Sequence, residues 1–389
     1  MANPALAPWE DRDAYDDDHR EFGDAVGAFV RREVVPHQAE WEAAGAVSLD
    51  AYRAAGEAGF VGLAVPEQFG GGGAPFSYNC VFTEQVAYAL ASFGALRVHM
   101  DVIIPYVTSI ATPQQQERWL PAMATAEKMA AIAMTEPAAG SDLAGMTTSL
   151  KSDGTGWRLN GSKTFITGGT QSELTIVVAR SGNGNDRRGG LTLAVIEGNP
   201  EGLTRSQPQK KLGLHQQDTA ELFFDDVYIP AENILGAEGR AFEYLSQNLA
   251  QERLSIAVNS QAQAVAALQL TRDHARDREM FGTTLSSFQN TKFTLADLST
   301  RIAAGQALVD RAIRRHDASH LSAADAARVK LFTTELHGLV TDACLQLFGG
   351  YGYMQEQAIG RLYADARVAR IYGGTSEVMK TIIAKSLGL

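Results

Sequence analysis

Cysteine is nearly absent: Cys80 and Cys344 are the only two in 389 residues. Two thiols so far apart in sequence form neither a disulfide framework nor a clustered thiolate metal site, so both are expected to be small core residues. No run approaches the roughly 18 to 20 apolar residues that a membrane-crossing helix needs, so insertion into a membrane is not expected. The start, Met1 to Tyr15, carries acidic residues and prolines where a secretory signal has a basic flank and an apolar stretch. A cytoplasmic protein is therefore expected. Positive charge is outnumbered, with 34 Lys and Arg against 45 Asp and Glu and a formal net charge of -11. With no basic stripe interleaved with aromatics, nucleic acid is not expected as a partner. An anionic cofactor stays compatible with an acidic chain, because backbone amides and a few arginines bind phosphate locally.

The usual catalytic motifs are missing too. There is no Gly-x-Ser-x-Gly elbow and no His-Glu-x-x-His helix, so a hydrolase reading lacks its nucleophile or its zinc. Gly182-Asn183-Gly184 resembles the start of a phosphate loop, but Arg187 stands where the third glycine belongs and the segment lies between two strand-like runs. It reads as a flexible hairpin loop. His316 and His320 have helical ligand spacing without a third ligand nearby, and Ser322 to Asp325 reads as a capping box opening the next helix.

What is present is 45% hydrophobic and 20% charged sequence, ordinary for a folded chain long enough to bury a large core. Its texture changes twice. From about Asp16 to Lys128 the pattern is helical, with segments such as Glu84 to Phe93 and Gln114 to Ala122 between Gly and Pro breaks. From Met129 the runs become short and β-branched, at Leu174 to Arg180, Leu191 to Glu197 and Glu221 to Ile229. Asn160-Gly161 between two such runs predicts a hairpin turn. After Gly239 the helical period returns, with Phe242, Leu245, Leu249 and Ile256 opening a long apolar stripe. The expected fold is mainly α within an α+β class: an N-terminal helical domain over residues 1–128, a middle antiparallel β domain over 129–238, and a C-terminal helical bundle over 239–389.

Three segments carry more than scaffold. Met134 to Asp142 offers hydroxyls and small residues that let backbone approach a flat polar ligand. An ordinary connecting loop would look the same. Phe165-Ile166-Thr167 sets an aromatic face and a hydroxyl two residues apart, on one side of a strand, although core packing could explain it. Arg361 to Glu377 ends in Gly373-Gly374-Thr375-Ser376, where a helix N-terminus suits an anion and where Thr375 or Ser376 could also be a simple N-cap.

In this order the segments resemble the acyl-CoA dehydrogenase family across nearly the whole chain. The resemblance is carried by Pro66 to Gly71, Met134 to Asp142, Asn160 to Thr167, Gln217 to Phe224, Arg278 to Gly282 and Gln346 to Gly352. It implies a C-terminal four-helix bundle and FAD as cofactor. Met134, Thr135, Gly140, Ser141, Phe165, Ile166 and Thr167 would meet the flavin, with Phe165 against the isoalloxazine and Thr167 near its reactive nitrogen. Arg278, Met280, Phe281, Phe288, Gln289, Gln346, Leu347, Gly349 and Gly350 would hold the adenosine diphosphate part of a neighbouring subunit's FAD, with Thr375 and Glu377 also toward the cofactor. A homo-oligomer, a dimer of dimers, follows from that sharing. Ser141, Arg253, Tyr372 and Gly373 would contact an acyl-CoA substrate, and an electron-transfer flavoprotein would take the electrons.

The chemistry needs a carboxylate to remove the α-proton of the thioester and fixed donors for the developing enolate oxygen. The family supplies a flavin ribityl hydroxyl and one backbone N–H, which here maps to Gly373. The family's usual base is a Glu at that same position. A smaller branch, the long-chain and isovaleryl type, places the base on a C-terminal-domain helix in a context that reappears as Gln251-Glu252-Arg253-Leu254. Positions three and four away from Glu252 hold no cation, so no local ion pair explains it. Glu252 is thus expected as the base. Competing expectations are a relative acting on a carrier-protein thioester or reacting with oxygen, and a flavin-binding scaffold that has lost its base.

Overall fold

The computed structural model describes residues 12–182 and 189–389. The interior of the expected loop after Ser181, with Asn183, Gly184 and Arg187, lies outside the described residues, as does the start of the chain through residue 11.

The first third is helical. Its principal helices are α1 (Asp17–Phe29), α2 (Phe76–Tyr88) and α3 (Pro113–Ala124). Each start follows from its sequence: Asp16 forms a capping box with His19, and Thr112 forms one with Gln115 ahead of Pro113 at the first helical position. The expected helix from Glu84 to Phe93 is cut short at Tyr88. Leu90 adopts φ +54°, and Leu90 and Ala91 donate back to Ala87 and Val86, which closes the helix before Phe93 enters the core. Between α2 and α3, His99–Ile103 forms a π-helical turn that carries Asp101 toward the C-terminal helices.

The middle section is an eight-stranded sheet with β1 (Ala130–Ala133), β2 (Ser149–Ser152), β3 (Gly156–Thr167), β4 (Leu174–Arg180), β5 (Leu191–Glu197), β6 (Leu203–Arg205), β7 (Thr219–Pro230) and β8 (Ile234–Leu235). The order is β6-β7-β3-β2-β4-β5-β8, with β1 added in parallel to β4. β4 and β5 coincide residue for residue with the expected runs. Six of the seven positions in each are buried, because both faces of these strands are covered.

The hairpin expected at Asn160-Gly161 does not form. β3 runs straight through it, pairing with β7 on one side and β2 on the other, and the dipeptide is a bulge where the β7 register slips. The Asn160 side chain accepts from the Asp226 N–H at 2.9 Å, Asp226 itself being at φ +54°. The actual turn is one Asp-Gly earlier: Asp153 Oδ1 accepts from Thr155 and Gly156 N–H groups, and Gly154 takes φ +89°.

The last section holds α4 (Ala241–Asp277), α5 (Gln289–Asp317) and α6 (Ala323–Phe348), with the shorter α7 (Ala358–Ala369) and α8 (Ser376–Ser386) packed along α6. Ser322 caps α6 by accepting from the Asp325 N–H, as expected. Cys80 and Cys344 are both buried and free. Among the described residues no helix is long and apolar enough to cross a membrane.

The bulge makes a prediction. At Gly161, with φ +141°, an added Cβ would lie 2.7 Å from Thr148 Oγ1 and 2.8 Å from Thr148 Cα. Gly161→Ala should lower stability by about 2 kcal/mol, read as a lower urea midpoint at unchanged slope.

Candidate active site

Glu252 sits about three turns into the long helix α4, on the side facing α6 and the α7–α8 turn. Leu245, Leu254 and Ile256 around it are buried, so its carboxylate is drawn into the protein with the apolar stripe. Its Oε2 is shut off from solvent and has no hydrogen-bond partner. Burial raises the Glu252 pKa above the ordinary carboxylate value, opposed by the positive charges of Arg253, Lys330 and Arg97. None of these cations forms an ion pair with it among the described residues.

What faces the carboxylate is Gly373. A Cβ built there would lie 3.4 Å from Glu252 Oε1 and 2.4 Å from Ile256 Cδ1, so the Glu252 carboxylate and Ile256 fill the space a side chain at 373 would use. Gly373 at φ +62° and Gly374 at φ +96° turn the chain between α7 and α8 in a conformation that side chains resist. The Gly373 N–H is given to no protein acceptor among the described residues. Its carbonyl oxygen accepts from Arg253 Nε at 3.5 Å, while the Tyr372 side is pinned from α6.

Lys330 does the pinning. Its Nζ donates to the Tyr372 carbonyl at 2.7 Å and to the Gly374 carbonyl, so one buried ammonium brackets Gly373 from both sides. Burial lowers the Lys330 pKa to about 8, with Arg253 pushing the same way and Glu252 opposing, and the group stays largely cationic at neutral pH. Lys330 was missed in the sequence. The signal is a lone lysine on a face shared with Val329, Thr333 and Thr334, all buried.

A second group gathers at the β3 edge. Lys163, fully buried, donates to the Met134 carbonyl at 2.8 Å and to Glu136 Oε1 at 3.0 Å, and the Thr164 N–H donates to the Thr135 carbonyl at 2.9 Å. The Met134 to Thr135 backbone is thereby held against β3. Burial alone would raise the Glu136 carboxyl, but donors from Thr147, Thr148 and Lys163 hold it at about 2.

Phe165 is 68% exposed and adopts φ +60°, at a second register slip between Lys163 and Ile166. The bulge re-aims the ring outward. Phe165 and Thr167 therefore do not share a regular strand face as spacing alone suggests, and the Ile166 side chain points into the sheet core. Thr167 Oγ1 accepts from Gln217 Nε2 at 3.0 Å, a residue present in the sequence motif without an assigned part. Gly140 and Ser141 lie in the exposed turn after the Glu136–Ala139 bridge, with open space beside Gly140.

A third group forms an open pocket. Arg278, Met280, Gln346, Leu347, Gly349 and Gly350 line it together with His274 and Tyr351, and it has a volume of about 520 Å³. The Arg278 guanidinium lies 5.7 Å from the Tyr351 ring centre. Phe281, 92% exposed, meets Phe288 edge to face just before Gln289 opens α5. Thr375 is spent as the N-cap of α8, accepting from the Val378 N–H, and Glu377 is exposed in that helix's first turn.

The structure thus brings together a carboxylate with one oxygen closed off from solvent and a glycine turn with a free N–H, and places elsewhere an aromatic turned outward in a strained conformation and a glycine-edged pocket carrying Arg278. The comparisons with known proteins agree on the class of the protein. The chain matches the families described as acyl-CoA dehydrogenase, N-terminal domain over residues 16–127, middle domain over 131–227 and C-terminal domain over 239–388. It therefore belongs to the acyl-CoA dehydrogenase family. It is 40% identical to the mitochondrial long-chain specific acyl-CoA dehydrogenase of Sus scrofa over 377 residues, 97% of this chain and 88% of the pig protein. The crystal structure of an acyl-CoA dehydrogenase from Geobacillus kaustophilus superimposes with a TM-score of 0.94 at 40% identity, covering 96% of this chain and 99% of that one. A glutaryl-CoA dehydrogenase from Mycobacterium smegmatis in complex with FADH2 gives a TM-score of 0.90 at 25% identity, covering 98% and 97%.

The bracket around Gly373 is testable without substrate. Lys330→Met leaves the Tyr372 and Gly374 carbonyls without their donor and should lower stability by about 1 to 3 kcal/mol in chemical unfolding.

Proposed function

We propose that this chain is an FAD-dependent acyl-CoA dehydrogenase that converts an acyl-CoA to its trans-2-enoyl thioester, with Glu252 as the α-proton base. The observation that carries the reading is the Glu252 carboxylate, its Oε2 closed off from solvent and unbonded and its Oε1 3.4 Å from where a Cβ at Gly373 would stand. The family's two base positions lie within one contact of each other here, which explains how a proton transfer survives the loss of Glu at 373. The scaffold reading has no use for an unbonded buried carboxylate.

The residues fit a flavin. Phe165 accepts backbone strain to present an exposed ring, and Gly140, Gly349 and Gly350 have nothing within 4 Å of where a Cβ would stand. Met134, Thr135, Ser141, Phe165 and Thr167 would hold the ring system, and the Arg278 to Gly350 pocket the adenosine diphosphate of a neighbouring subunit's cofactor. The bound flavin supplies the hydride acceptor for the β-hydrogen. The chain's own residues do the rest. Glu252 removes the α-proton. The unpaired Gly373 N–H donates to the thioester oxygen, held in place by Lys330 on both sides. Arg253 and Lys330 place positive charge near the developing enolate. A homotetramer and an electron-transfer flavoprotein as acceptor complete the reading.

Purified protein should carry about one FAD per chain, and anaerobic acyl-CoA should bleach it. Glu252→Gln should retain the flavin and lose about two to four orders of magnitude in the rate of that bleaching. A rate near the native one would refute the base assignment. In the native protein, burial holds the Glu252 pKa above the ordinary carboxylate value, and only the ionised form accepts a proton. The bleaching rate should therefore rise with pH through that raised pKa, and Glu252→Gln should flatten the profile. Moving the base to Gly373→Glu in that background requires room, since Ile256 Cδ1 lies 2.4 Å from the new Cβ. Rescue is expected only when Ile256→Ala is added.

Arg278→Ala should release FAD while leaving the protomer folded, because the arginine lies on the open pocket and in no ion pair among the described residues. Equilibrium dialysis of the flavin reads the first effect, and circular dichroism the second.

A further inference from the structure

Next to Tyr372 lies a cavity between the N-terminal helices, α4 and the segment before β7. Its volume is about 50 Å³, and Tyr372, Gln217 and Arg97 are among its lining residues. It therefore touches both halves of the site: Tyr372 precedes Gly373, and Gln217 holds Thr167.

Its lining mixes polar and apolar side chains. Thr83, Arg97, Gln217, Asn259 and Gln263 face it beside Phe82, Val86 and Phe93. Arg97 is half-buried, and of its five N–H donors only one has an acceptor, Nη1 to Ser255 Oγ at 2.9 Å. No carboxylate lies in ion-pair range of it among the described residues. Asp101 and Glu252 both feel its charge, and Asp101 is taken up elsewhere: its carboxylate accepts from Ser255 Oγ at 2.5 Å and Asn79 Nδ2 at 2.8 Å. Ser255 stands three residues after Glu252 on α4, so this chain of contacts fixes Arg97 one helical turn from the base. A half-buried guanidinium with unused donors, lining this cavity one helical turn from the base, is placed to receive an acceptor oxygen from the end of a short acyl group.

We infer that the acyl group of the substrate is short and ends in an oxygen acceptor, a carboxylate, ketone or hydroxyl, that hydrogen-bonds to Arg97. The inference rests on the acyl-CoA dehydrogenase reading and runs against the long-chain wording of the nearest sequence motifs.

The test compares acyl-CoA thioesters of equal chain length that end in methyl, hydroxyl, ketone or carboxylate, scored as kcat/KM for flavin reduction by the holoenzyme. At least one oxygenated substrate should exceed its methyl counterpart by about ten- to a hundredfold, the range expected for a hydrogen bond to a charged group. Arg97→Leu and Arg97→Gln should bring that ratio down toward one, mainly through KM. The native ratio is read without any variant, so a variant that fails to fold does not obscure the result. A methyl-terminated or long-chain thioester as the best substrate overturns the inference and leaves the dehydrogenase reading standing. So does an oxygen preference that both variants retain. Failure of every thioester, methyl-ended included, to reduce the flavin removes the dehydrogenase reading and this inference with it.

Discussion

The geometry of the site depends on one ammonium group. Lys330, buried on α6, donates to the carbonyls on either side of Gly373 and so fixes a turn that two positive-φ glycines would otherwise leave loose. From that anchor the remaining positions follow. The missing side chain at 373 leaves space, the Glu252 carboxylate and Ile256 fill it, and the Gly373 N–H is left without a protein acceptor. The same ammonium lends positive potential to a carboxylate whose pKa burial raises, so one group serves both the shape and the electrostatics of the turn.

The β3 side of the candidate site is organised by the same means. A buried lysine, Lys163, reaches across from β3 to a backbone carbonyl at Met134 while paired with Glu136. Buried charges are expensive to desolvate, and a lysine or glutamate left without its partner is far worse than an apolar pair. Such contacts therefore specify one backbone arrangement sharply, since any slip strands a charge. In both places a buried lysine holds a loop where no regular element fixes the backbone. At Phe165 the device meets strain: the β3 bulge turns a large ring outward at φ +60°, against both its hydrophobicity and its backbone preference.

Much of this was legible in the residues. The strands Leu174–Arg180 and Leu191–Glu197 announced themselves as unbroken apolar runs because both of their faces are covered. Ser322 was readable as a cap because capping is local, the acceptor and donor lying three residues apart. Glu252 stood out as a carboxylate on an apolar helical stripe without a cation one turn away. The misreadings share a cause. Asn160-Gly161 has the chemistry of a turn and of a bulge alike, and the choice between them was made by pairing with β7, more than sixty residues later. The Glu84 to Phe93 helix failed at Leu90 for a similar reason, its end being set by the packing of Phe93 in the helical core.

By itself, then, the sequence determined the order of helices, sheet and helices, the family and the identity of the base candidate. Each of these is written in periodicity, in short motifs or in one residue's mismatch with its stripe. The tertiary structure alone decided that Glu252 and Gly373 share one space, that Lys330 holds the turn, and that Arg97 reaches the cavity next to Tyr372. Lys330 finds its acceptors 42 and 44 residues further on, and Arg97 meets Ser255 across 158. Partners at such separations leave no local trace in composition or spacing. They are chosen by which helix faces pack together, and only the folded chain brings those faces into contact.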